Sequence, residues 1–261
     1  MAKIIAVSNQ KGGVGKTTTC VSLGANLTVL QKKVLIIDLD SQANLTMAVG
    51  LDPDEIELAI ADLIDPEERD ESISIQDIIQ KTGTNNLFIL PSDVRLAATE
   101  QGIVAIENYE WILANALKPI REDYDFILID CPPALSPLTL MALTAADMVL
   151  VPVQTEYYAA RGLERLLETI DAVQKHLNPS LNYHLVATIF DKRNRICREV
   201  LGQLLMSFEN NLFTTVIGID TQIRESAAAG EPISQYASKS RSNLEYEELA
   251  KEVIQLLSEQ G

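Results

Sequence analysis

A glycine-rich run near the start of the chain has the composition of a phosphate-binding loop. It reads Lys11-Gly12-Gly13-Val14-Gly15-Lys16-Thr17-Thr18 and lies between a β-branched run and an amphipathic stretch. Glycines let successive backbone N–H groups face phosphate oxygens, and the positive end of a helix dipole adds to the attraction. In this pattern Lys16 neutralises the β- and γ-phosphates of a nucleotide, and the Thr17 hydroxyl is a ligand of Mg²⁺. A purely structural glycine turn does not explain Gly-Lys-Thr at this distance from a strand.

Three aspartates stand at the ends of two apolar runs and could serve a metal ion and an attacking water. The runs are Val34–Asp38, continued by Leu39 and Asp40, and Phe126–Asp130. Alternation along a strand places Asp38 and Asp40 on one side, beside the glycine loop if the strands are parallel. An apolar strand that ends in an aspartate is the Walker-B pattern, in which Asp130 reaches Mg²⁺ through water. Such an aspartate alone could simply cap the next turn, so its assignment depends on the glycine loop.

Short β-branched runs alternate with longer amphipathic stretches along most of the chain. The runs that predict strands are Ile4–Ser8, Val34–Asp38, Leu87–Leu90, Phe126–Asp130, Met148–Val153, His184–Phe190 and Phe213–Ile217. The patterns that predict helices are Thr17–Leu30, Asn108–Pro119, Arg161–Leu177, Arg195–Phe208 and Leu244–Leu257. This order predicts an α/β fold with a doubly wound, mostly parallel sheet and helices on both faces, whose ligand lies beyond the carboxyl ends of the strands. Since no repeat or flexible linker interrupts the pattern, residues 1–261 are expected to form one domain.

The charge balance is acidic but uneven. The 261 residues include 21 Lys and Arg against 37 Asp and Glu, a net charge of −16. Residues 52–77 hold eleven acidic residues and one arginine, so the rest of the chain carries only −16 + 10 = −6. We expect that segment to form solvated surface helices, and other faces can be basic. The 47% hydrophobic and 22% charged residues exclude a disordered chain, and 5% aromatic residues disfavour a stacking platform for single-stranded nucleic acid.

Cysteine spacing and hydropathy limit the cellular compartment in which the protein is expected. The three cysteines are widely spaced and form no CxxC pair, which disfavours a zinc ribbon, an iron–sulfur cluster or a disulfide framework. The start of the chain turns polar too early for a signal peptide, and no apolar run approaches the roughly 20 residues that cross a bilayer. A cytoplasmic protein without a membrane partner is expected. Cys131, Trp111, His176 and His184 are expected to have ordinary packing or surface roles, with Trp111 in the core.

The glycine loop departs from the standard G-x-x-x-x-G-K-[ST] pattern in one informative way. Gln10 takes the first glycine position, and a second lysine, Lys11, opens the loop. The sequence thereby resembles the deviant Walker-A ATPases, a type of P-loop NTPase that includes ParA/Soj partition proteins, MinD, the nitrogenase iron protein and Mrp-type cluster carriers. The resemblance implies that ATP is buried between two subunits of a homodimer and that Lys11 reaches the phosphates of the partner's nucleotide. A second cation there stabilises the charge of the transition state.

The same resemblance implies a role for each candidate residue. In the family's D-x-D-x-Q motif, here Asp38-Leu39-Asp40-Ser41-Gln42, the second aspartate positions the attacking water, and the first supports the metal or the switch loop. The implied catalytic residues are Lys11, Lys16, Asp38 and Asp40, and the implied metal ligands are Thr17, Asp38 and Asp130. The implied nucleotide contacts are Lys11, Gly12, Gly13, Val14, Gly15, Lys16, Thr17 and Thr18, with Thr188, Gly218, Ile219 and Asp220 around the adenine. Two positions depart from the family: Ser41 and Gly218 both stand where many relatives have proline.

Among the branches, the resemblance is closest to the short ParA/Soj forms and covers nearly the whole chain. The segments 151–163 and 223–233 are closely similar to theirs, and no helix-turn-helix segment precedes the glycine loop. MinD ends in a basic amphipathic helix, whereas residues 248–259 lack a basic face. Cluster carriers need paired cysteines near the dimer axis, and tyrosine-kinase relatives carry a tyrosine-rich tail; neither feature is present.

The resemblance implies a slow Mg²⁺-dependent ATPase that drives plasmid or chromosome partition. Its ATP dimer would bind double-stranded DNA of the nucleoid without sequence preference, and a ParB-like or cargo-adaptor protein would stimulate hydrolysis. The candidate DNA-binding residues are Lys192, Arg193, Arg195, Arg198 and Arg224, with Lys239 and Arg241 as further candidates. Any one of these could equally make a surface ion pair. Three alternatives stay open: the same ATPase positioning a non-DNA cargo such as a carboxysome, a MinD-like membrane-associated regulator, and a metal-cluster carrier.

Overall fold

The centre of the protein is an eight-stranded sheet in a computed structural model that describes residues 1–65, 73–156 and 159–259, with the side chains of 159–162 left aside. The strands are β1 (Lys3–Val7), β2 (Val34–Asp38), β3 (Gln80–Lys81), β4 (Leu87–Leu90), β5 (Phe126–Asp130), β6 (Met148–Gln154), β7 (Asn182–Phe190) and β8 (Leu212–Gly218). Their order is β3-β4-β2-β5-β1-β6-β7-β8. All neighbouring pairs described are parallel except β3 with β4, which is antiparallel. The predicted doubly wound, mostly parallel sheet is confirmed.

Helices cover both faces of this sheet. They are α1 (Lys16–Val29), α2 (Asn44–Ala48), α3 (Ile60–Ile64), α4 (Ile75–Ile78), α5 (Leu96–Ile103), α6 (Ile112–Leu117), α7 (Pro137–Ala145), α8 (Ala159–His176), α9 (Arg195–Ser207), α10 (Thr221–Ala229), α11 (Ile233–Tyr236) and α12 (Arg241–Glu259). The core cluster on one face takes residues from α3 to α9, and the cluster on the other takes residues from α1, α2, α11 and α12. Strand residues alternate between the two clusters: Ile4 and Ala6 face one, and Ile5 and Val7 face the other. This two-sided burial explains why the strand runs are apolar throughout.

Several short helices and 3-10 turns are not predicted from the sequence, and one predicted helix is wrong. The predicted helix Asn108–Pro119 is wrong as a continuous helix, because 3-10 turns at Tyr109–Trp111 and Lys118–Ile120 flank the shorter α6. Asn108 has a left-handed φ of 58° that a helix cannot include, and Pro119 has no N–H to donate. The prediction that Trp111 lies in the core is also wrong, since the 3-10 turn leaves its side chain 39% exposed.

The acidic segment is only partly a solvated surface. Ile60 and Ile64 of α3, with Ile75 and Ile78 of α4, are buried in the core. The expectation of simple surface helices is therefore wrong for α3 and α4, whose apolar sides complete one face of the sheet. Residues 66–72 of the segment lie outside the described part of the chain.

The register of the central strands brings the candidate aspartates together. Asp38 at the end of β2 is paired with Asp130 at the end of β5, and Asp130 is paired with Val7 at the end of β1. The chain leaves β1 for the glycine loop at this same edge. Parallel pairing thus places both carboxylates beside the start of α1, as the strand order predicted.

Two glycines let the backbones of two loops touch. Gly50 follows α2 with φ +83°, and Gly230 ends α10 with φ +67°, both in the left-handed region. A Cβ on Gly230 would lie 2.8 Å from the Cα atom of Gly50, closer than such atoms approach. Only glycine therefore fits where the ends of α2 and α10 meet.

In the residues described, no helix has both the length and the hydropathy needed to cross a bilayer.

Candidate functional site

The glycine loop joins β1 to α1 in a conformation that depends on its glycines. Gly13 and Gly15 have φ values of +74° and +88°, where L side chains are strained. Gly15 immediately precedes α1, which begins at Lys16 and has no acidic residue in its first turn. The positive end of the α1 dipole and the N–H groups of its first turn therefore face the cleft without an anionic side chain to satisfy them.

The Lys16 side chain is enclosed by the loop. It is only 8% exposed, and its Nζ atom lies 3.4 Å from the backbone oxygen of Lys11. Burial lowers the pKa of the Lys16 ammonium, while the nearby carboxylates of Asp130 and Asp40 oppose that shift. A buried cation of this kind gains most from an anionic ligand, because the ligand replaces the water that it has lost.

Asp130 has a buried carboxylate oxygen with no partner. Its Oδ2 atom accepts a hydrogen bond of 2.6 Å from the Thr17 hydroxyl, whereas Oδ1 is buried and has no hydrogen-bond partner within the described chain. Burial raises the pKa of Asp130, and the carboxylate of Asp38 raises it further. Leaving a buried carboxylate oxygen without a partner is costly, so Asp130 Oδ1 suits a bound cation.

The oxygen donors of Thr17 and Asp130 suit Mg²⁺, and they do not form a site in which the protein supplies every ligand. Over the ranges that the structure describes, no group of three or more His, Cys, Asp or Glu residues could hold a metal. Mg²⁺ commonly takes one or two protein oxygens and fills its other positions with water and phosphate. Thr17 and Asp130 together offer that arrangement.

Asp38 is committed to holding the loop that follows β2. It is fully buried; Oδ2 accepts bonds of 2.8 Å from both the N–H and the hydroxyl of Thr46, and Oδ1 accepts one from the Asp40 N–H. Burial raises the pKa of Asp38 to about 6, against the effect of these hydrogen bonds. The Thr46 hydroxyl in turn accepts from the Ser92 N–H at 3.0 Å. Through these contacts Asp38 supports the loop that follows β2. No motif or spacing in the sequence points to Thr46 or Ser92 as its partners.

The other aspartate, Asp40, lines the cleft. Its Oδ1 atom accepts from the Gln42 N–H at 3.0 Å, which forms a local turn. The structure thus separates the two aspartates: Asp38 points into α2, and Asp40 faces the concavity.

The cleft has a volume of about 390 Å³ and runs from the glycine loop to the end of β8. Ten of the twelve candidate nucleotide contacts line it: Gly12, Gly13, Gly15, Lys16, Thr17, Thr18, Thr188, Gly218, Ile219 and Asp220. Lys11 and Val14 are not among its lining residues. Val14 is buried, and its backbone oxygen accepts a 2.9 Å bond from the Thr188 hydroxyl. The hydroxyl of Thr188 therefore holds the loop in place.

The far wall of the cleft is held by the first turns of α12. The Gly218 N–H donates to Glu245 Oε2 at 2.8 Å, and the Arg241 guanidinium donates to the backbone oxygen of Ile219. A Cβ on Gly218 would lie 2.9 Å from Arg241 Nη2. The end of the Arg241 side chain can shift, so this contact does not by itself require glycine, but it places Arg241 at the cleft wall.

Further contacts of this wall were not foreseen from the sequence. Asp220 accepts from the Ser242 hydroxyl at 3.0 Å, and Tyr246, also on the lining, shares a hydrogen bond of 3.2 Å with Thr19 of α1. Ile189 lines the cleft with a φ of 53°, at an irregular register between β7 and β8. A β-branched residue there is strained.

The candidate DNA-binding residues are divided between the start of α9 and α10. Four basic residues are exposed at the start of α9, namely Lys192, Arg193, Arg195 and Arg198, whereas Arg224 lies on α10 and lines the cleft. Arg193 pairs with Asp191 at 3.0 Å and Arg195 with Glu199 at 2.7 Å, and Arg198 Nη1 donates to the backbone oxygen of Lys192 at 2.7 Å.

The charge at the start of α9 remains positive despite these pairs. The four cations against two carboxylates leave a local charge of 4 − 2 = +2. Because all four basic side chains are exposed, their ion pairs can be exchanged for contacts with phosphate at small cost.

Comparison with known proteins yields one family and a consistent set of relatives. The family described as "AAA domain" matches residues 2–183. The chain is 41% identical over 254 residues to the sporulation initiation inhibitor protein Soj of Bacillus subtilis (strain 168), covering 97% of this chain and 98% of Soj. It is 37% identical to the chromosome partitioning protein ParA of Myxococcus xanthus (strain DK1622), covering 97% and 88% of the two chains.

A solved structure extends the likeness to the fold and to a bound nucleotide. The structure described as cobyrinic acid a,c-diamide synthase from Mycobacterium smegmatis holds an ATP analog and magnesium. It matches with a TM-score of 0.86 and 32% identity, over 100% of this chain and 98% of that one.

Proposed function

Because this chain belongs to the Soj/ParA family of partition ATPases, we propose that it binds ATP with Mg²⁺ in the cleft, hydrolyses it, and forms a homodimer around the bound nucleotide. One observation carries the proposal: the unpartnered Oδ1 atom of Asp130 and the hydroxyl of Thr17 lie beside the buried ammonium of Lys16. A hydroxyl, a carboxylate and a lysine at one helix N-terminus are what a metal–triphosphate requires.

The residues divide the work by their positions. Lys16 and the backbone N–H groups at the start of α1 hold the phosphates, and Thr17 with Asp130 would hold Mg²⁺. When bound, Mg²⁺ neutralises charge on the phosphate oxygens. Asp40 orients the attacking water from the rim of the cleft, and the hydrogen bonds from Thr46 and Asp40 to Asp38 fix the loop on which Asp40 stands.

The second cation comes from the other subunit. Lys11 stands outside the lining of its own cleft, so we assign it to the phosphates of the partner's nucleotide. Among the residues described, Lys16 and Arg224 are the cations that line the cleft, and Lys11 arrives only when a second copy docks, so turnover without a stimulator is expected to be slow. A ParB-like or cargo-adaptor protein accelerates it.

DNA binding follows from doubling the positive surface. The four cations at the start of α9, with Arg224, act on phosphates, so binding is insensitive to sequence and sensitive to salt. Two copies in one dimer turn a weak attraction into a useful affinity. The proposed role is therefore partition of a plasmid or chromosome by a cytoplasmic ATPase that associates with the nucleoid.

The dimer itself is the first test. With Mg²⁺ and a non-hydrolysable ATP analogue, sedimentation equilibrium should give twice the monomer mass of 28.7 kDa, because the bound triphosphate bridges the two copies. With ADP the mass should stay at the monomer value. A protein that remains monomeric when saturated with the analogue would contradict the proposed function.

The DNA surface is tested by reversing its charge. Arg195→Glu with Arg198→Glu should weaken retention of non-specific duplex DNA by the analogue-bound protein about tenfold or more at 100 mM salt. The slope of log affinity against log salt should also become shallower by about one for each lost phosphate contact.

The matched control carries the same change of charge elsewhere. Lys118→Glu with Lys175→Glu reverses two exposed cations away from α9 and should have a much smaller effect. Gel-shift titrations at several salt concentrations compare the two, and sedimentation verifies that both still dimerise. Equal losses of affinity in both double variants would place the DNA surface elsewhere.

A further inference from the structure

The Lys11 side chain is held by its own subunit. Its Nζ atom donates to Glu156 Oε2 at 2.8 Å and to Gln154 Oε1 at 3.1 Å. The amide of Gln154 also donates to Glu156, so the end of β6 presents two linked acceptors to one ammonium. These partners are about 145 residues away in the sequence, and the family's motif says nothing of them.

The backbone around Lys11 is anchored to the same strand. The Lys11 N–H donates to Asn9 Oδ1 at 3.0 Å, and Asn9 Nδ2 donates to the backbone oxygen of Pro152 at 2.7 Å. The start of the glycine loop is therefore fixed to β6 independently of the side chain. Because the backbone is fixed, the ammonium can leave Gln154 and Glu156 by rotation of its own side chain alone.

We infer that Gln154 and Glu156 are positioning residues that hold Lys11 within its own subunit and release it when a second copy docks. The inference rests on the proposed function, in which Lys11 serves the partner's nucleotide. An ammonium has three N–H donors, and two are occupied in the single subunit. Lys11 must give up these bonds before it can reach across, so they lower the affinity of the dimer.

The contact is weak enough to be reversible. The Lys11 and Glu156 side chains are 33% and 53% exposed, so water screens the pair and competes for both groups. Each dimer breaks two such contacts, one per subunit. Removing the carboxylate should therefore raise the dimer association constant by about 3- to 30-fold.

The first experiment tests the contact between Lys11 and Glu156 in a single subunit, without a dimer. In nucleotide-free protein, Glu156→Gln should increase the rate at which a small acylating reagent modifies Lys11 by about two- to fivefold, since the side chain is no longer held by the carboxylate and is more accessible to the reagent. Mass spectrometry measures the rate for each lysine. Glu168→Gln, which removes an equal charge from the exposed side of α8, should leave the Lys11 rate unchanged.

The second experiment measures the effect of the Lys11–Glu156 contact on dimerisation. With Mg²⁺ and the non-hydrolysable analogue, Glu156→Gln should dimerise at lower protein concentration than the wild type, and the difference should shrink at high salt because salt screens the pair. Lys11→Met is expected to dimerise more weakly because it loses its contact with the partner's phosphates, so its dimer constant is measured at higher protein concentration, where Glu156→Gln should leave that constant unchanged. This double-mutant cycle separates release of Lys11 from any direct contact of Glu156 with the second copy.

The outcomes distinguish the inference from the function on which it rests. Unchanged Lys11 reactivity, an unchanged dimer constant, or an effect that persists in Lys11→Met would each overturn the inference while leaving the dimer intact. A wild-type protein that never dimerises with the analogue would instead refute the proposed function, and the role of Gln154 and Glu156 with it.

Discussion

Replacing Lys16 by alanine is expected to weaken ATP binding by about 100-fold or more, the largest effect of any single substitution in the cleft. The Lys16 ammonium is buried beside the start of α1 and is the one lysine that lines the cleft within the described residues. Its loss removes charge-assisted hydrogen bonds to the phosphates and leaves their charge opposite Asp130 and Asp40. Isothermal titration with ATP and Mg²⁺ measures the change.

Two controls separate this effect from damage to the fold. Lys16→Arg keeps the charge but not the shape that the loop encloses, so it should recover only part of the affinity. Lys175→Ala, on the exposed side of α8, should bind ATP like the wild type, and circular dichroism should be the same for all three variants. Wild-type affinity in Lys16→Ala would mean that the phosphates bind elsewhere.

Asp40→Ala is expected to separate ATP binding from hydrolysis. Asp40 reaches the cleft from the loop after β2, whereas the loop itself is held by Asp38 and Thr46, which the substitution leaves in place. The variant should therefore bind ATP and dimerise, while kcat falls by about 10²- to 10³-fold because nothing orients the attacking water. Single-turnover hydrolysis and sedimentation with ATP measure the two properties.

A matched control exists in the same chain. Asp52 makes the same type of local turn, accepting from the Asp54 N–H at 3.0 Å, but it does not line the cleft. Asp52→Ala removes a comparable turn and should leave kcat unchanged. Normal turnover by Asp40→Ala would exclude Asp40 from the chemical step.

The parts of the site that the sequence predicted are those encoded by neighbouring residues. Glycines that must adopt positive φ, a lysine at a helix start and aspartates at strand ends all leave a local pattern, and parallel pairing then determines which ends meet. The alignment of Asp38 with Asp130 follows from the strand order and not from any motif.

The contacts that the sequence left out join segments far apart in the chain. Arg241 meets Ile219, Tyr246 meets Thr19, and Lys11 meets Glu156 across 22, 227 and 145 residues. Tertiary packing alone brings these pairs together, so no spacing rule could have paired them. The sequence shows the charge of Arg241 but not its partner, and therefore groups it with the basic surface.

Local patterns also failed where elements are short. α2, α3, α4 and α11 have four or five residues each, too few to show a helical period, and they form because their apolar side chains complete the core. Trp111 shows the converse error: its helical spacing predicts a core position, but it lies in a 3-10 turn that leaves it exposed.

The backbone contact between Gly50 and Gly230 joins the two helices that carry the ends of the cleft. The Asp40 loop leads into α2, and the wall at the end of β8 leads into α10, so the two helices carry opposite ends of the cavity. Where they meet, main chain touches main chain, and no side chain is present whose rotation could absorb a displacement. A displacement of α2 or α10 is therefore expected to shift the other helix as well, because backbone lies directly against backbone.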